Sequence, residues 1–308
     1  MIGWRIAGVG AALPDEIVSN ADLERRLDTS DAWIVERTGI QERRSGGSTA
    51  SLAITAGKAA LTMAGLSCEE IEMLFLSTST PDRQVPATSA SVHFALGLSG
   101  GALDISAACA GWLYGLICAH GYLGSGQSRN ALVVGSECMN RIIDPCDRAT
   151  AVLFGNGAGA AVLVADDGPP SLLSTDMGCN GALEEILFAD RSGKVIMNGP
   201  AVFREAARAV EVSSRLCLER AGVSVRSLRW VIPHQASLRL IFTIADRLGV
   251  DRSRVAQTVQ WTGNVSSASL PIALEMLVRN DALTPGDLVP FQAFGAGFTW
   301  VTVLLRWR

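Results

Sequence analysis

Short apolar runs bounded by turn residues alternate with stretches of helical period along the whole chain. Residues 71–79 (IEMLFLSTS) read as the end of a helix feeding a buried strand. Residues 131–135 (ALVVG), 160–165 (AAVLVA), 230–233 and 301–305 read as further strands. Residues 91–98 read as a helix, and residues 202–221 as a long amphipathic one. Strand and helix periods that interleave in this way predict a layered α/β fold.

One internal repeat bears on the architecture. Residues 61–75 (LTMAGLSCEEIEMLF) align with residues 218–232 (LERAGVSVRSLRWVI) at an offset of 218 − 61 = 157. Leu61 meets Leu218, Ala64-Gly65 meets Ala221-Gly222, Ser67 meets Ser224 and Ile71 meets Leu228. In each copy a helix closes on Ala-Gly and a short turn leads to a buried strand. A second echo sets Phe154-Gly155-Asn156-Gly157 against Phe294-Gly295-Ala296-Gly297, at 294 − 154 = 140, so an insertion or deletion separates the two. Two echoes in one order imply duplication, with halves at residues 1–165 and 166–308 joined at the turn-rich Asp166-Asp167-Gly168-Pro169-Pro170. Sites favour the seam between such halves.

Composition narrows the function. With 48% hydrophobic and 18% charged residues the chain is no disordered segment. A net charge of −4 gives no sign of a nucleic-acid binder. The seven cysteines include no CxxC pair and no His lies beside them, so neither a disulfide framework nor a structural zinc site is indicated. No apolar run reaches the ~18 residues of a membrane span, and the first residues lack the pattern of an export signal. The expectation is a cytoplasmic protein with no membrane association.

Cys109 offers the clearest chemistry. It lies in Ser106-Ala107-Ala108-Cys109-Ala110-Gly111, just before the apolar helix of residues 112–123. Free N–H groups and the dipole at a helix N-terminus favour a thiolate and lower a thiol pKa. Small neighbours leave room for a ligand, and the Cys109 N–H can face an oxyanion. The alternative is an inert buried cysteine.

A cysteine nucleophile calls for a histidine. His120 is 11 residues further along the same helix, about 16 Å away, too far to reach. His93 sits in an apolar helical stretch and reads as a packed side chain. His234 follows the strand of residues 230–233, at the carboxyl end where open α/β sheets place ligands, and the 157 offset pairs it with Ser77. Otherwise it is a loop histidine without a role. The same offset sets Cys109 on Ser266, two residues from Asn264, so Cys109 and Asn264 hold nearly matching places in the two halves. The other reading of Asn264 is a turn or cap residue. Phe294-Gly295-Ala296-Gly297-Phe298 is a tight loop whose N–H groups can supply a second oxyanion donor, or simply a turn. The run Gly155-Asn156-Gly157-Ala158-Gly159 leads into a strand, the reverse of a dinucleotide fingerprint.

Taken together these motifs resemble 3-oxoacyl-[acyl-carrier-protein] synthase III, the beta-ketoacyl synthase of the thiolase superfamily that starts fatty-acid chains. The resemblance runs nearly end to end. It rests on residues 29–40 (TSDAWIVERTGI), Ala107-Ala108-Cys109-Ala110-Gly111, Pro233-His234-Gln235-Ala236, Gly263-Asn264 and residues 293–300 (AFGAGFTW), in that order. It implies a thiolase-like fold: two duplicated α/β halves in α-β-α-β-α layers. It implies an acyltransferase in which Cys109 takes an acyl group from acyl-CoA, and malonyl-acyl-carrier protein then loses CO2 and condenses with it. His234 and Asn264 would stabilise the enolate, and the N–H groups of Cys109 and Ala296 the tetrahedral oxyanion. No metal and no cofactor is implied beyond acyl-CoA as substrate. Thr29, Trp33, Arg37 and Arg148 would hold the CoA, Arg239 would dock the acidic carrier protein, and the protein would be a homodimer.

The Cys-His-Asn set separates relatives within that superfamily. Elongating synthases use two His, and thiolases a second Cys near the last glycine loop; here Asn264 and Ala296 stand instead. Departures from the family pattern fall around the primer. The segment between Leu187 and Met197 is short, Pro200 and Ser237 stand where Asn is frequent, Ala296 replaces a common Gly, and Val85 stands where a partner often inserts Phe. The alternatives are an acyltransferase that moves the Cys109 acyl group to an alcohol or amine, a condensing enzyme taking a dicarboxylic acyl-CoA toward a biotin precursor, and a non-catalytic acyl-binding subunit. Arg141 is the candidate partner of a primer carboxylate, with a structural role as the competing reading.

Overall fold

The computed structural model describes residues 2–189 and 193–308. Two sheets form its frame. The first runs Gly3–Ala12, Asn156–Asp166, Asn130–Cys138, Met73–Ser77, Gly101–Ile105 in spatial order. Met73–Ser77 is parallel to both neighbours, and the strands Gly3–Ala12, Asn156–Asp166 and Asn130–Cys138 pair antiparallel. The second sheet runs Ile232–Pro233, Leu288–Gly295, Thr299–Arg306, Leu172–Cys179. An isolated parallel bridge from Val231 to Val255 lies beside its first strand. The second sheet thus repeats the order of the first, with the fifth strand reduced to one bridge.

Two helices lie between the sheets. Gly111–Gly124 and Ser269–Arg279 bury Trp112, Leu113, Leu116, Leu270 and Leu274 in one core with Phe75, Val133, Phe291 and Val303 of the two sheets. Helices Thr49–Ala64 and Thr88–Leu96 cover the outer face of the first sheet. Gly199–Ala221 and Leu238–Leu248 cover that of the second. The result is five layers, α-β-α-β-α. The central helices are apolar around most of their girth because both faces are covered.

The repeat has a physical basis in its helix ends. Gly65 and Gly222 both take the left-handed conformation, at φ 68° and 63°. After them Leu66 N–H donates to Leu61 O, and Val223 N–H to Leu218 O, the Schellman closure that favours Gly there. The 157 offset also carries the turns Cys68–Glu70 and Val225–Ser227. It fails by one residue further on. The strained residues ahead of the central helices are Ala108, φ 46°, and Ser266, φ 47°, so the offset there is 266 − 108 = 158. Cys109 therefore matches Ser267 rather than Ser266. The second echo shifts because a long connection (139–155) joins the first pair of strands and a tight turn (296–298) the second. The strand expected at residues 230–233 is confined to Ile232–Pro233.

Among the described residues no helix is long and apolar enough to cross a membrane. The seven cysteines are free.

Candidate active site

Both halves deliver a sharp turn to the seam between the sheets. In the first, strand Gly101–Ile105 ends and Ala107 and Ala108 reverse the chain so that the single 3-10 turn Ala108–Ala110 presents Cys109 ahead of helix Gly111–Gly124. The positive φ of Ala108 is a strained conformation for a residue with a β-carbon, of order 1–3 kcal/mol, held by its surroundings. Gly111 has no room for a side chain, since a β-carbon would lie 2.0 Å from Ser77 Oγ. In the second half the turn Ser266–Ala268 follows Asn264 and precedes helix Ser269–Arg279.

Cys109 is buried, with 9% of its surface exposed, and lines a cavity of about 780 Å³. Ser266, Ala296 and Gly297 line the same cavity. Leu187, Phe188, Ala189 and Val195 do too, so part of the segment between Leu187 and Met197 forms its wall. Asp190, Arg191 and Ser192 of that segment lie outside the described residues.

His234 and Asn264 do not line the cavity. Both are buried, at 3% and 5% exposure, and reach the Cys109 turn through neighbours. The Ser266 N–H donates to Asn264 Oδ1 at 2.8 Å, and the turn that carries Ser266 packs on the turn that carries Cys109. The ring of His234 meets the Phe294 ring edge-on at 5.2 Å, and the next residue, Gly295, abuts the Cys109 amide. Gln235 fixes the loop after His234: its amide donates to Pro233 O and Ala256 O, and its carbonyl accepts from Thr258 and Val259 N–H. The other two histidines are engaged elsewhere. His120 Nδ1 accepts from Trp4 Nε1–H at 2.6 Å, and His93 Nε2 lies 2.7 Å from Gly100 O.

Electrostatics overturn one expectation. The helix end was expected to lower the Cys109 thiol pKa, but burial pushes it up to about 12, with the Glu137 carboxylate adding to the rise. The Ser266 hydroxyl and the Cys109 N–H oppose that rise without overcoming it. Removal of a thiolate from water is the largest cause of that rise. Burial also drives His234 down to about 3, so its imidazole is neutral. The resting pair is therefore thiol and neutral imidazole rather than an ion pair. His234 Nδ1 is buried without a partner, which leaves its ring unsatisfied on that side.

The sequence reading passed over one group. Glu137 is fully buried, and its carboxylate accepts from Ser79 N–H and from Thr80, Ser266 and Ser267 hydroxyls at 2.8–3.0 Å. A carboxylate two residues after the apolar run 131–135, still inside the strand, is its mark in the sequence.

The CoA and carrier-protein candidates meet around Arg37, away from the cavity lining. Trp33 is half-buried, with the Arg148 guanidinium 4.8 Å and that of Arg37 6.0 Å from its ring centre. Arg148 also donates to Asp28 O, and the buried Thr29 Oγ1 has no partner. Arg239 is exposed over the Phe203 ring at 5.4 Å and shares a small cleft with Arg37 and Arg204. Arg141 is paired with Asp82 at 2.6 Å. Among the described residues no cluster of His, Cys, Asp or Glu is arranged to hold a metal.

Comparisons with known proteins bear on this arrangement. Residues 103–181 match the family described as 3-oxoacyl-[acyl-carrier-protein] synthase III, and residues 218–307 match its C-terminal counterpart. The chain is 42% identical to a beta-ketoacyl-[acyl-carrier-protein] synthase III of Roseobacter denitrificans, covering 98% of each. It is 42% identical to one of Erythrobacter litoralis, covering 100% of each. The crystal structure of 3-oxoacyl-[acyl-carrier-protein] synthase III from Aquifex aeolicus superposes with a TM-score of 0.97 at 42% identity, over 99% of this chain and 100% of that one.

Proposed function

The chain belongs to the 3-oxoacyl-[acyl-carrier-protein] synthase III family, and on that premise we propose how its residues carry the family reaction. The reaction is the condensation of an acyl-CoA primer with malonyl-acyl-carrier protein. The observation that carries the assignment of residues is Cys109 at a strained turn, opening on a cavity, with Asn264 and His234 of the other half one neighbour away through Ser266 and through Phe294-Gly295.

Cys109, as thiolate, attacks the thioester carbonyl of acyl-CoA; the oxyanion meets the N–H groups of Cys109 and Ala296, and CoA leaves. Malonyl-carrier protein then enters. His234, neutral through burial, and the amide of Asn264 donate to the malonyl thioester oxygen. The side-chain carbonyl of Asn264 is held by Ser266 N–H, which leaves the amide NH2 as its donor end. Loss of CO2 puts charge on that oxygen, where two fixed donors are most effective. The enolate carbon attacks the Cys109 thioester, and the Cys109 thiolate leaves.

Trp33 and Arg148 are the stacking platform and cation for the CoA nucleotide, with Thr29 and Arg37 beside them. Arg239, with Arg37 and Arg204, suits the acidic carrier protein. No metal or further cofactor enters this scheme. An unpaired outer strand, Gly101–Ile105, and an exposed Phe94 support a homodimer. We place the protein in the cytoplasm and the boundary between its halves at residues 165 and 166. Glu184 on the cavity wall and the pairing of Arg141 with Asp82 favour an uncharged acyl primer. Among the described residues the cavity is lined by no Lys or Arg.

Intact mass spectrometry tests this reading. The protein is incubated with acetyl-, hexanoyl-, decanoyl- and glutaryl-CoA beside a Cys109→Ala variant. One acyl mass added by an uncharged donor and lost in the variant is expected. No adduct with any donor would overturn priming from CoA, and an adduct with glutaryl-CoA alone would overturn the uncharged primer.

A further inference from the structure

Glu137 sits in a place that the reaction scheme leaves unused. It ends the strand Asn130–Cys138 with no exposed surface, and no cation is paired with it among the described residues. Its Oε2 accepts from Ser79 N–H and Thr80 Oγ1–H, each at 2.9 Å. The Thr80 hydroxyl is oriented for this, because its oxygen already accepts from Cys138 N–H at 2.8 Å. Its Oε1 accepts from Ser267 at 2.8 Å and Ser266 at 3.0 Å. The turn that carries Ser266 packs on the turn that carries Cys109, and the two residues line the same cavity. A buried carboxylate joined to a nucleophile by one hydroxyl is an arrangement suited to moving a proton.

We infer that Glu137 accepts the Cys109 thiol proton through the Ser266 hydroxyl. The Cys109 S–H bond breaks as its proton passes to Ser266 Oγ, and the proton already on Ser266 passes to Glu137 Oε1. The products are a thiolate and a neutral carboxyl, with no change in net charge. When the thiolate attacks the acyl-CoA carbonyl, the proton returns through Ser266, at the cavity wall, to the departing CoA sulfur. Burial raises the Glu137 carboxyl above its ordinary value and the donors around it offset part of that rise, which makes it a stronger proton acceptor than an exposed carboxylate, and the relay supplies a base to a deeply buried thiol that has no ion-pair partner in neutral His234. The inference rests on Cys109 being the nucleophile proposed above.

The sign of one substitution separates this relay from simple proximity of charge. Cys109 and Cys138 are the titratable groups that face Glu137. If Glu137 acted only as a nearby negative charge, Glu137→Gln would relieve the thiolate and leave alkylation as fast or faster. If it accepts the proton, Glu137→Gln slows alkylation, by roughly 100-fold at neutral pH.

The experiment is the rate of iodoacetamide alkylation at Cys109 against pH, read by peptide mass spectrometry in the full chain. It is run on wild type, Glu137→Gln, Ser266→Ala and the double variant. The expected result is that Glu137→Gln slows the rate and moves its half-maximum to higher pH when Ser266 is present, and does not slow it when Ser266 is absent. A rate unchanged or raised by Glu137→Gln in the presence of Ser266 would overturn the relay. Should Gln at position 137 unfold the chain, Glu137→Asp reads the same contrast. It keeps the charge but withdraws it from Ser266, so the relay predicts slowing and charge alone predicts none. Alkylation uses no CoA. A protein that shows the relay but takes no acyl group would therefore count against the proposed function and not against Glu137.

Discussion

Gly295 and Cys109 stand so close that a β-carbon on the glycine would lie 2.9 Å from the Cys109 amide nitrogen. The two come from different halves, and the contact fixes the nucleophile turn against the second sheet. The first half makes the reciprocal contact: a β-carbon on Gly135 would lie 2.7 Å from Ser267 O. Gly295→Ala therefore pushes on rigid backbone rather than on a flexible side-chain tip. We expect it to fold with a loss of about 1–3 kcal/mol, the usual range for overpacking. Acylation of Cys109 should fall further than stability suggests, because the displaced group is the proposed oxyanion donor. Urea unfolding beside intact-mass acylation rates checks both parts. Wild-type acylation in the variant would show that the close approach is not needed.

Burial of His234 and Cys109 gives stability a defined dependence on pH. The His234 imidazole titrates near 3 in the fold, against 6.5 when exposed. Between those values the unfolded chain binds the extra proton, so stability falls as pH drops through that window. The Cys109 thiol keeps its proton to about 12 in the fold, against 9.0 when exposed. Above 9.0 the unfolded chain loses the proton first, so stability falls as pH rises. Urea midpoints against pH should show both flanks. His234→Gln should flatten the acid flank and Cys109→Ala the alkaline one, and unchanged flanks would count against those assignments.

Gly65 and Gly222 mark matching helix ends because a left-handed cap is a local demand that the chain itself displays. The places of Cys109, His234 and Asn264 in the fold are legible because each follows or precedes an element whose period is visible. The loss of one strand to a bridge at Val255 is not legible, since only pairing in three dimensions reveals it. Nor is the state of the thiol. The helix-end argument is local, whereas burial comes from the far half, which closes over Cys109 with Gly295 and Ser266. Glu137 escapes for the same reason: its hydroxyl partners Thr80, Ser266 and Ser267 lie on two other segments, up to 130 residues away in the chain.

The patch around Trp33 should act on binding alone. Arg148 lies 4.8 Å from the Trp33 ring centre and is itself held by Asp28 O at 2.7 Å, so the platform is set before a nucleotide arrives. Trp33→Ala and Arg148→Ala are expected to raise KM for acyl-CoA by about tenfold each, in line with roughly 1–2 kcal/mol for a desolvated stacking or cation contact. The kcat value should hold. With a short acyl thioester that lacks the nucleotide, both variants should match wild type. A loss of activity with that truncated donor would show that the patch supports the fold of the site instead.

In the proposed scheme Asn264 divides the two half-reactions. Its carbonyl is committed to Ser266 N–H, which leaves its amide NH2 as the donor the proposed scheme uses. Acylation of Cys109 places no charge there, whereas decarboxylation of the malonyl group does. Asn264→Ala should therefore acylate at close to the wild-type rate but lose decarboxylation by about 10²–10³-fold, the usual effect of removing one fixed donor to a developing oxyanion. Asn264→Asp should be worse still, since a carboxylate would repel the enolate. Acyl-enzyme mass and CO2 release from malonyl-carrier protein measure the two steps separately. Equal loss of both would mean that Asn264 mainly supports the Ser266 turn, and an unchanged CO2 yield would favour acyl transfer to an alcohol or amine over condensation.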